Sequence, residues 1–578
     1  MKLLEALEIA KRPVAESAPG MKIFLATGVT PLHLQTFLHA HLRLAFPDAK
    51  PEIATGLFGD LIGNLVRLDF SSIDALAIVI EWSDLDPRLG IRALGGWRPE
   101  SLADIVASAA EKSGRMQQAI ESIARHIPTV VSMPTLPLPP LFTTRPLQSG
   151  SFESQLQATA AMAAENLAQL PGIRLVSAQQ LALVSAPADR HDVKADVASG
   201  FPYTLRHASS LAEMLAGLIR NRTPMKGLIT DLDDTLWSGI VGDDGVDSIS
   251  WSLDAHTQMH GLYQQVLSSL AGAGVLIGVA SKNDPEIVRE AFERKDLLLS
   301  RNDIFPFEVH WSPKSESVRR ILAAWNIGAD AVLFIDDNPM EVAEVKAAFP
   351  EMDCRLFPKN DYPAILSLLK DLRDVFGKPM VTGEDALRLK SLRDAGAWQS
   401  ESGPTKTADD FLAAADACIT FEGGQTRDDA RALELVNKTN QFNLNGIRLT
   451  ESAWRKFFDD PSAFLLTASY QDKFGPLGKV AVVMGRVTGK TVHVSSWVMS
   501  CRAFSRRLEH QCLKYLFENL EAEELVLDYE TTPRNGPLQD FLEEMIQQPP
   551  APGLRLTRDA FFAAAPALFH RIEVTVNV

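Results

Sequence analysis

Leu228-Ile229-Thr230-Asp231-Leu232-Asp233-Asp234-Thr235-Leu236-Trp237 carries an apolar strand straight into two carboxylates one residue apart. A pair so placed at a strand's carboxyl end can hold Mg²⁺ and attack phosphorus. The first carboxylate faces the substrate as nucleophile. The second residue offers its backbone carbonyl to the metal and its carboxylate to the leaving group, as acid and then base.

Three more polar positions follow at the ends of apolar runs. Ser281 closes Val275–Ala280 in Val279-Ala280-Ser281-Lys282-Asn283-Asp284, where a hydroxyl can hydrogen-bond a transferring phosphoryl group and Asn283 is a candidate substrate contact. Lys314, in Trp311-Ser312-Pro313-Lys314, supplies a positive charge against phosphate and nucleophile. Asp336 and Asp337, in Phe334-Ile335-Asp336-Asp337-Asn338-Pro339, complete an oxygen-rich set suited to a hard cation. Each element alone also reads as structure: Asp-x-Asp as a turn or helix cap, a lone Ser or Lys as a solvated residue, Asp-Asp-Asn-Pro as turn chemistry. In this order, at predicted strand ends within about 110 residues, they read as one phosphoryl-transfer site.

The surrounding pattern is α/β throughout. Strand-like runs at Lys22–Thr27, Ala75–Ile80, Thr129–Met133 and Ile173–Val176 alternate with helical runs such as Glu153–Leu170, which predicts a parallel sheet in a first domain, residues 1–223. A second domain, 224–378, has predicted strands at Gly227–Asp231, Val275–Ala280, Phe305–His310 and Ala331–Asp336. The third, 379–578, opens with a helical stretch at Glu384–Gln399 and a soft linker at Ser400–Thr407, then becomes mixed α/β.

Composition narrows the class. With 578 residues, 46% of them apolar, the chain can bury several cores. Its net charge of −16 argues against a broad nucleic-acid surface. Cys354, Cys418, Cys501 and Cys512 share no metal-ligand spacing and read as reduced thiols. Charged residues interrupt the apolar runs of Met1–Ala18, and no stretch of 18 apolar residues occurs, so the expectation is a cytoplasmic protein with no membrane partner.

The four motifs, Asp231/Asp233, Ser281, Lys314 and Asp336/Asp337, resemble those of the haloacid dehalogenase (HAD) superfamily of aspartate-nucleophile phosphotransferases. The resemblance implies a covalent intermediate on Asp231, acid–base work by Asp233, and a loop supported by Thr235, which also borders the substrate. It implies Mg²⁺ held by Asp231, the Asp233 carbonyl, and Asp336 with Asp337 close by. Only about 45 residues separate the first motif from Ser281, and 33 separate Ser281 from Lys314, too few for a large cap domain. An open site is expected.

Asp231-Leu232-Asp233-Asp234-Thr235-Leu236-Trp237-Ser238-Gly239-Ile240-Val241-Gly242-Asp243-Asp244-Gly245 is more specific and resembles the FkbH-like branch, subfamily IIIC. Val436-Asn437-Lys438-Thr439-Asn440-Gln441-Phe442-Asn443-Leu444 and Trp497-Val498-Met499-Ser500-Cys501-Arg502 agree with it. That branch implies an SGNH-hydrolase-like (flavodoxin-like) first domain, a Rossmann-like HAD core and a GNAT-like acyltransferase third domain. Its best-known members take a phosphorylated three-carbon substrate, 1,3-bisphosphoglycerate, and load a glyceryl unit onto the phosphopantetheine arm of an acyl carrier protein for polyketide biosynthesis. The alternatives are a phosphohydrolase of a small phosphometabolite or phosphoprotein, and a scaffold that only binds phospho-ligands.

The chain departs from these patterns in two places. Gly28-Val29-Thr30 stands where SGNH hydrolases carry Gly-Asp-Ser, and Asp189 and His191 have no matching serine, so the first domain is expected to dock or position substrate. Arg502-Ala503-Phe504-Ser505-Arg506-Arg507 matches the coenzyme A loop of GNAT domains with Ser505 and Arg507 at its glycine positions, so the usual mode of coenzyme A binding is not expected. Arg502 is a candidate ligand contact, as is Asn440. Cys501 is a candidate acyl carrier, a buried structural cysteine being the alternative.

Overall fold

The computed structural model describes residues 1–15, 17–378, 381, 409, 412–413, 415–424, 429–473, 475–500, 503–504 and 506–576. Glu384–Gln399, Ser400–Thr407, Cys501, Arg502 and Ser505 lie outside the described residues. The chain divides into two compact units, Met1–Arg222 with Leu449–Phe457, and Thr223–Arg448 with Phe458–Val578.

In the first unit, β1 (Gly20–Thr27), β2 (Lys50–Thr55), β3 (Ala75–Val79), β4 (Thr129–Ser132) and β5 (Ile173–Leu175) form a parallel sheet in the order β2-β1-β3-β4-β5. β3 is buried at every residue, as a strand covered on both faces must be. Four of these strands were readable as apolar runs. β2 was not, because its alternating burial admits Lys50, Pro51 and Glu52. The Thr30 hydroxyl donates to the Ser199 carbonyl at 2.8 Å, and His191 pairs with Asp196 at 2.8 Å. The helix Glu451–Phe457 belongs to this unit, held by an ion pair of Glu451 with Arg174 and by the Arg455 guanidinium on the Ala124 carbonyl at 3.0 Å.

The second unit contains two sheets. β6 (Gly227–Thr230), β7 (Leu276–Ser281), β8 (Ile304–Val309), β9 (Val332–Asp336) and β10 (Asp353–Leu356) are parallel in the order β10-β9-β6-β7-β8. β6 is therefore central, with β9 and β7 on either side. Neighbouring strands lie about 4.8 Å apart, so the polar residues closing β6, β7 and β9 are brought together at one end of the sheet. Beneath the strands, Trp325 closes the helix Lys314–Trp325 and is fully buried. Its ring lies so close to Gly227 and Gly278 that a Cβ on either would fall 2.6 and 2.9 Å from it.

β11 (Cys418–Gly424), β12 (Phe442–Asn443), β13 (Ala463–Asp472), β14 (Gly475–Thr488), β15 (Thr491–Met499), β16 (Glu524–Leu527), β17 (Leu554–Thr557) and β18 (Arg571–Val576) form a mixed sheet in the order β17-β16-β15-β14-β13-β11-β18. β15 runs parallel to β16 only over Thr491–Val494; further on, Val498 and Met499 pair with β12 instead. The Asn445 amide bridges the diverging strands by donating to the Ser495 and Asp528 carbonyls at 2.9 and 3.0 Å. The fold class is thus the expected one, α/β with two parallel five-stranded sheets and a C-terminal mixed sheet. Among the described residues no helix is long and apolar enough to cross a membrane.

Trp325 fills a space that nothing else occupies, so Trp325→Ala is expected to lower the unfolding free energy of the second unit by about 3–5 kcal/mol, measured by urea denaturation.

Candidate active site

The strand order makes the site. Asp231 directly follows β6, and its backbone N–H still donates to the Ile335 carbonyl of β9 at 3.0 Å, so Asp231 and Asp336 emerge side by side. Lys314 opens its helix behind Pro313 and points its ammonium into the space between them. Its Nζ lies 2.8 Å from Asp231 Oδ1, 2.7 Å from Asp336 Oδ2 and 3.0 Å from Glu341 Oε2, with the lysine side chain 1% exposed. Glu341 comes from the first turn of the helix Pro339–Ala348 and also holds Lys282 at 2.9 Å.

Lys314 and Lys282 together leave the three carboxylates one positive charge short of neutral. Burial opposes the charge on Lys314, but Asp231, Asp336 and Glu341 outweigh it and hold the lysine above its ordinary pKa. Burial and the neighbouring Asp231 charge push Asp336 up to about 7, against the pull of Lys314. Both directions describe one site with surplus negative charge. Oxygens of Asp231, Asp336 and Glu341 lie within 4.8 Å of one another, an all-oxygen donor set of the kind that Mg²⁺ takes. The residues present therefore fit a divalent cation in both charge and donor type.

Asp233 is held apart from that set. Its Oδ1 accepts from the Trp237 indole N–H at 2.8 Å and the Val241 backbone N–H at 3.1 Å, and its Oδ2 accepts from the Asn283 amide at 2.8 Å. Burial raises the Asp233 pKa, and the Asn283, Val241 and Trp237 donors partly offset the rise. A carboxyl with an elevated pKa and a fixed direction is equipped to give and take a proton. Trp237 is fully buried and packs edge-on against Phe292, so the segment after the aspartate pair folds back to grip the second aspartate.

Ser281 is buried, and its Oγ accepts from Asn283 at 3.3 Å. Asn283, expected as a substrate contact, thus spends its amide on Asp233 and Ser281. Thr235 is fully buried, its hydroxyl has no hydrogen-bond partner among the described residues, and its carbonyl meets His260 Nδ1 at 3.0 Å. Asp337, placed with Asp336 by the reading of the sequence, faces Lys359 at 2.7 Å, and the same lysine holds Asp234 at 2.8 Å. Glu341, which that reading missed, takes the third place in the oxygen set. Asn440 lies elsewhere, its side-chain oxygen accepting from Arg448. Cys501 and Arg502 fall outside the described residues.

No protein-family model matches the chain. No curated protein matches it. Among solved structures, the N-terminal part of BF1531 from Bacteroides fragilis, which contains a phosphatase domain and is complexed with Mg, superposes with a TM-score of 0.52. It is 20% identical and covers 66% of this chain and 100% of its own. The likeness is one of fold, shared with a structure that holds Mg. The MnaA–UDP structure from S. aureus (9% identical, 67% of this chain and 99% of its own) has a TM-score of only 0.13. A GCN5-related glucosamine N-acetyltransferase region of a fungal GH3 β-N-acetylglucosaminidase (11% identical, 92% and 64%) also reaches only 0.13. Neither carries structural weight.

Two outcomes follow from this geometry. Glu341→Gln should weaken Mg²⁺ binding about tenfold or more, and Asp337→Asn should weaken it less; titration calorimetry with Mg²⁺ checks the order. Trp237→Phe removes a donor that lowers the Asp233 pKa, so the Asp233 carboxyl should titrate at higher pH in the variant, checked by NMR titration of its side-chain carbonyl.

Proposed function

We propose that the chain is a Mg²⁺-dependent phosphatase or phosphotransferase that works through Asp231. The observation that carries this reading is the buried Lys314 shared by Asp231, Asp336 and Glu341, with Asp233 held separately by Trp237 and Asn283. Asp231 attacks phosphorus in line with the departing oxygen. Lys314, 2.8 Å from Asp231 Oδ1, fixes the direction of the attacking carboxylate and offsets the charge of the transferring group. Ser281 offers a hydroxyl to a phosphoryl oxygen. Asp233 protonates the leaving group, then takes a proton from the water that releases the phosphoaspartate. Mg²⁺, held by Asp231, Asp336 and Glu341, would supply positive charge to the phosphoryl oxygens.

The finer reading adds a substrate and an acceptor. It takes 1,3-bisphosphoglycerate: a carrier-protein thiol attacks the acyl carbon, and the acyl phosphate leaves as inorganic phosphate and takes up the thiol proton. The remaining phosphate monoester is transferred to Asp231 and released by water, which leaves a glyceryl thioester. Support comes from the resemblance of Asp231–Gly245, Val436–Leu444 and Trp497–Arg502 to the FkbH-like branch. The short spacing between motifs, which leaves no room for a large cap, supports a macromolecular acceptor. A phosphohydrolase of a small phosphometabolite is the second reading, favoured by the completeness of the Asp231 site taken alone.

Intact mass spectrometry separates the two. Protein, Mg²⁺, a holo carrier protein and 1,3-bisphosphoglycerate generated in place should yield a glyceryl adduct on the carrier. Brisk hydrolysis of generic phosphate esters without an adduct would leave the phosphohydrolase. In either case Asp231→Asn should reduce turnover by about 10³-fold or more, and full turnover by that variant would remove Asp231 as the nucleophile.

A further inference from the structure

Lys359 pairs with two carboxylates that border the set formed by Asp231, Asp336 and Glu341. The loop that carries it leaves β10 and is anchored at Phe357. The Phe357 backbone N–H donates to the Asp336 carbonyl at 2.8 Å, and its buried ring packs against His260 and Tyr263 with centroids 5.3 and 5.2 Å away. Two residues on, the Lys359 ammonium lies 2.8 Å from Asp234 Oδ2 and 2.7 Å from Asp337 Oδ2, which ties the loop after β6 to the loop after β9. Asp234 is also fixed from its own side: its φ is 50°, in the left-handed region, and its Oδ1 accepts from the Gly239 N–H at 2.9 Å.

Asp337 follows Asp336 directly, and consecutive Cα atoms lie about 3.8 Å apart. At that spacing its carboxylate would be a fourth anionic donor for a cation held by Asp231, Asp336 and Glu341, but its Oδ2 is turned to Lys359. The number of protein oxygens is what separates the two common hard cations. Ca²⁺ takes roughly six to eight oxygens in flexible geometry, whereas Mg²⁺ is octahedral and keeps several waters. A positive charge that occupies Asp337 therefore disfavours Ca²⁺ more than Mg²⁺. The Lys359 side chain is 42% exposed, against 1% for Lys314, so water can replace it at both carboxylates and its removal is compatible with the fold.

We propose that Lys359 is a positioning residue that withholds Asp337 from the cation and thereby sets the preference of the site for Mg²⁺ over Ca²⁺. Lys359 acts through Asp337 and touches neither ion nor substrate. The inference rests on the Mg²⁺ reading of the Asp231 site.

Titration calorimetry of the full chain with MgCl₂ and, separately, with CaCl₂ gives the two affinities and their ratio. Lys359→Met frees Asp337, so Ca²⁺ binding should tighten about tenfold or more and Mg²⁺ binding by less. Lys359→Gln keeps hydrogen-bond donors for both carboxylates while removing the charge. It should move the ratio in the same direction, and it tests the inference even where the Met variant fails to fold. Adding Asp337→Asn to either variant should return the ratio to that of the unaltered protein. A ratio that neither variant moves, or a shift that survives Asp337→Asn, overturns the role of Lys359 and leaves the Mg²⁺ reading standing. Failure of the unaltered protein to bind either cation overturns both.

Discussion

At the carboxyl end of the sheet β10-β9-β6-β7-β8, the polar residues are arranged around one buried ammonium. Removing Lys314 from water costs several kcal/mol, and that cost is offset only because three carboxylates reach it from three different elements. Asp231 arrives from the end of β6, Asp336 from the end of β9, and Glu341 from the helix that follows. The lysine fixes where those elements end relative to one another. The carboxylates in turn outnumber it, which leaves the site charged for a divalent ion. Stability and cation binding are two sides of the same imbalance.

The second aspartate shows a different solution. Asp233 is two residues from Asp231, close enough that a free side chain would join the same oxygen set. Three neutral donors draw it away: an indole N–H, a backbone N–H and an amide, none of which adds charge. Two carboxylates on one short segment thereby acquire separate environments, one facing a cation and the other facing dipoles. Under the proposed function, those environments would separate acid–base work from nucleophilic work.

The parts of this site legible in the sequence were those at strand ends. An apolar run that stops at a polar residue marks the edge of a parallel sheet, and Asp231, Ser281 and Asp336 close such runs, while Lys314 opens the helix that follows β8. Glu341 was not legible, because an acidic residue in a first helical turn is ordinary helix chemistry and only the packed structure turns it toward Lys314. Asp336 and Asp337 are adjacent in the chain, and the separation appears only once Lys359, 22 residues later, is seen to face Asp337. Trp237 was legible as a marker of a family segment but not as a hydrogen-bond donor. Of the strands, β10 escaped because Asp353-Cys354-Arg355-Leu356 has no apolar run to betray it. The closing of β15 by β12 was likewise hidden, since β12 is only the two residues Phe442–Asn443.

Trp325 makes three distant positions behave as one. Its indole fits beneath the central strands only because Gly227 and Gly278 present no Cβ to it, so a methyl gained at either glycine must be matched by volume lost at 325. The three residues form a single unit of inheritance. Substitutions there are accepted jointly or not at all, and two sequences that share this sheet are expected to keep all three or to have exchanged them as a set.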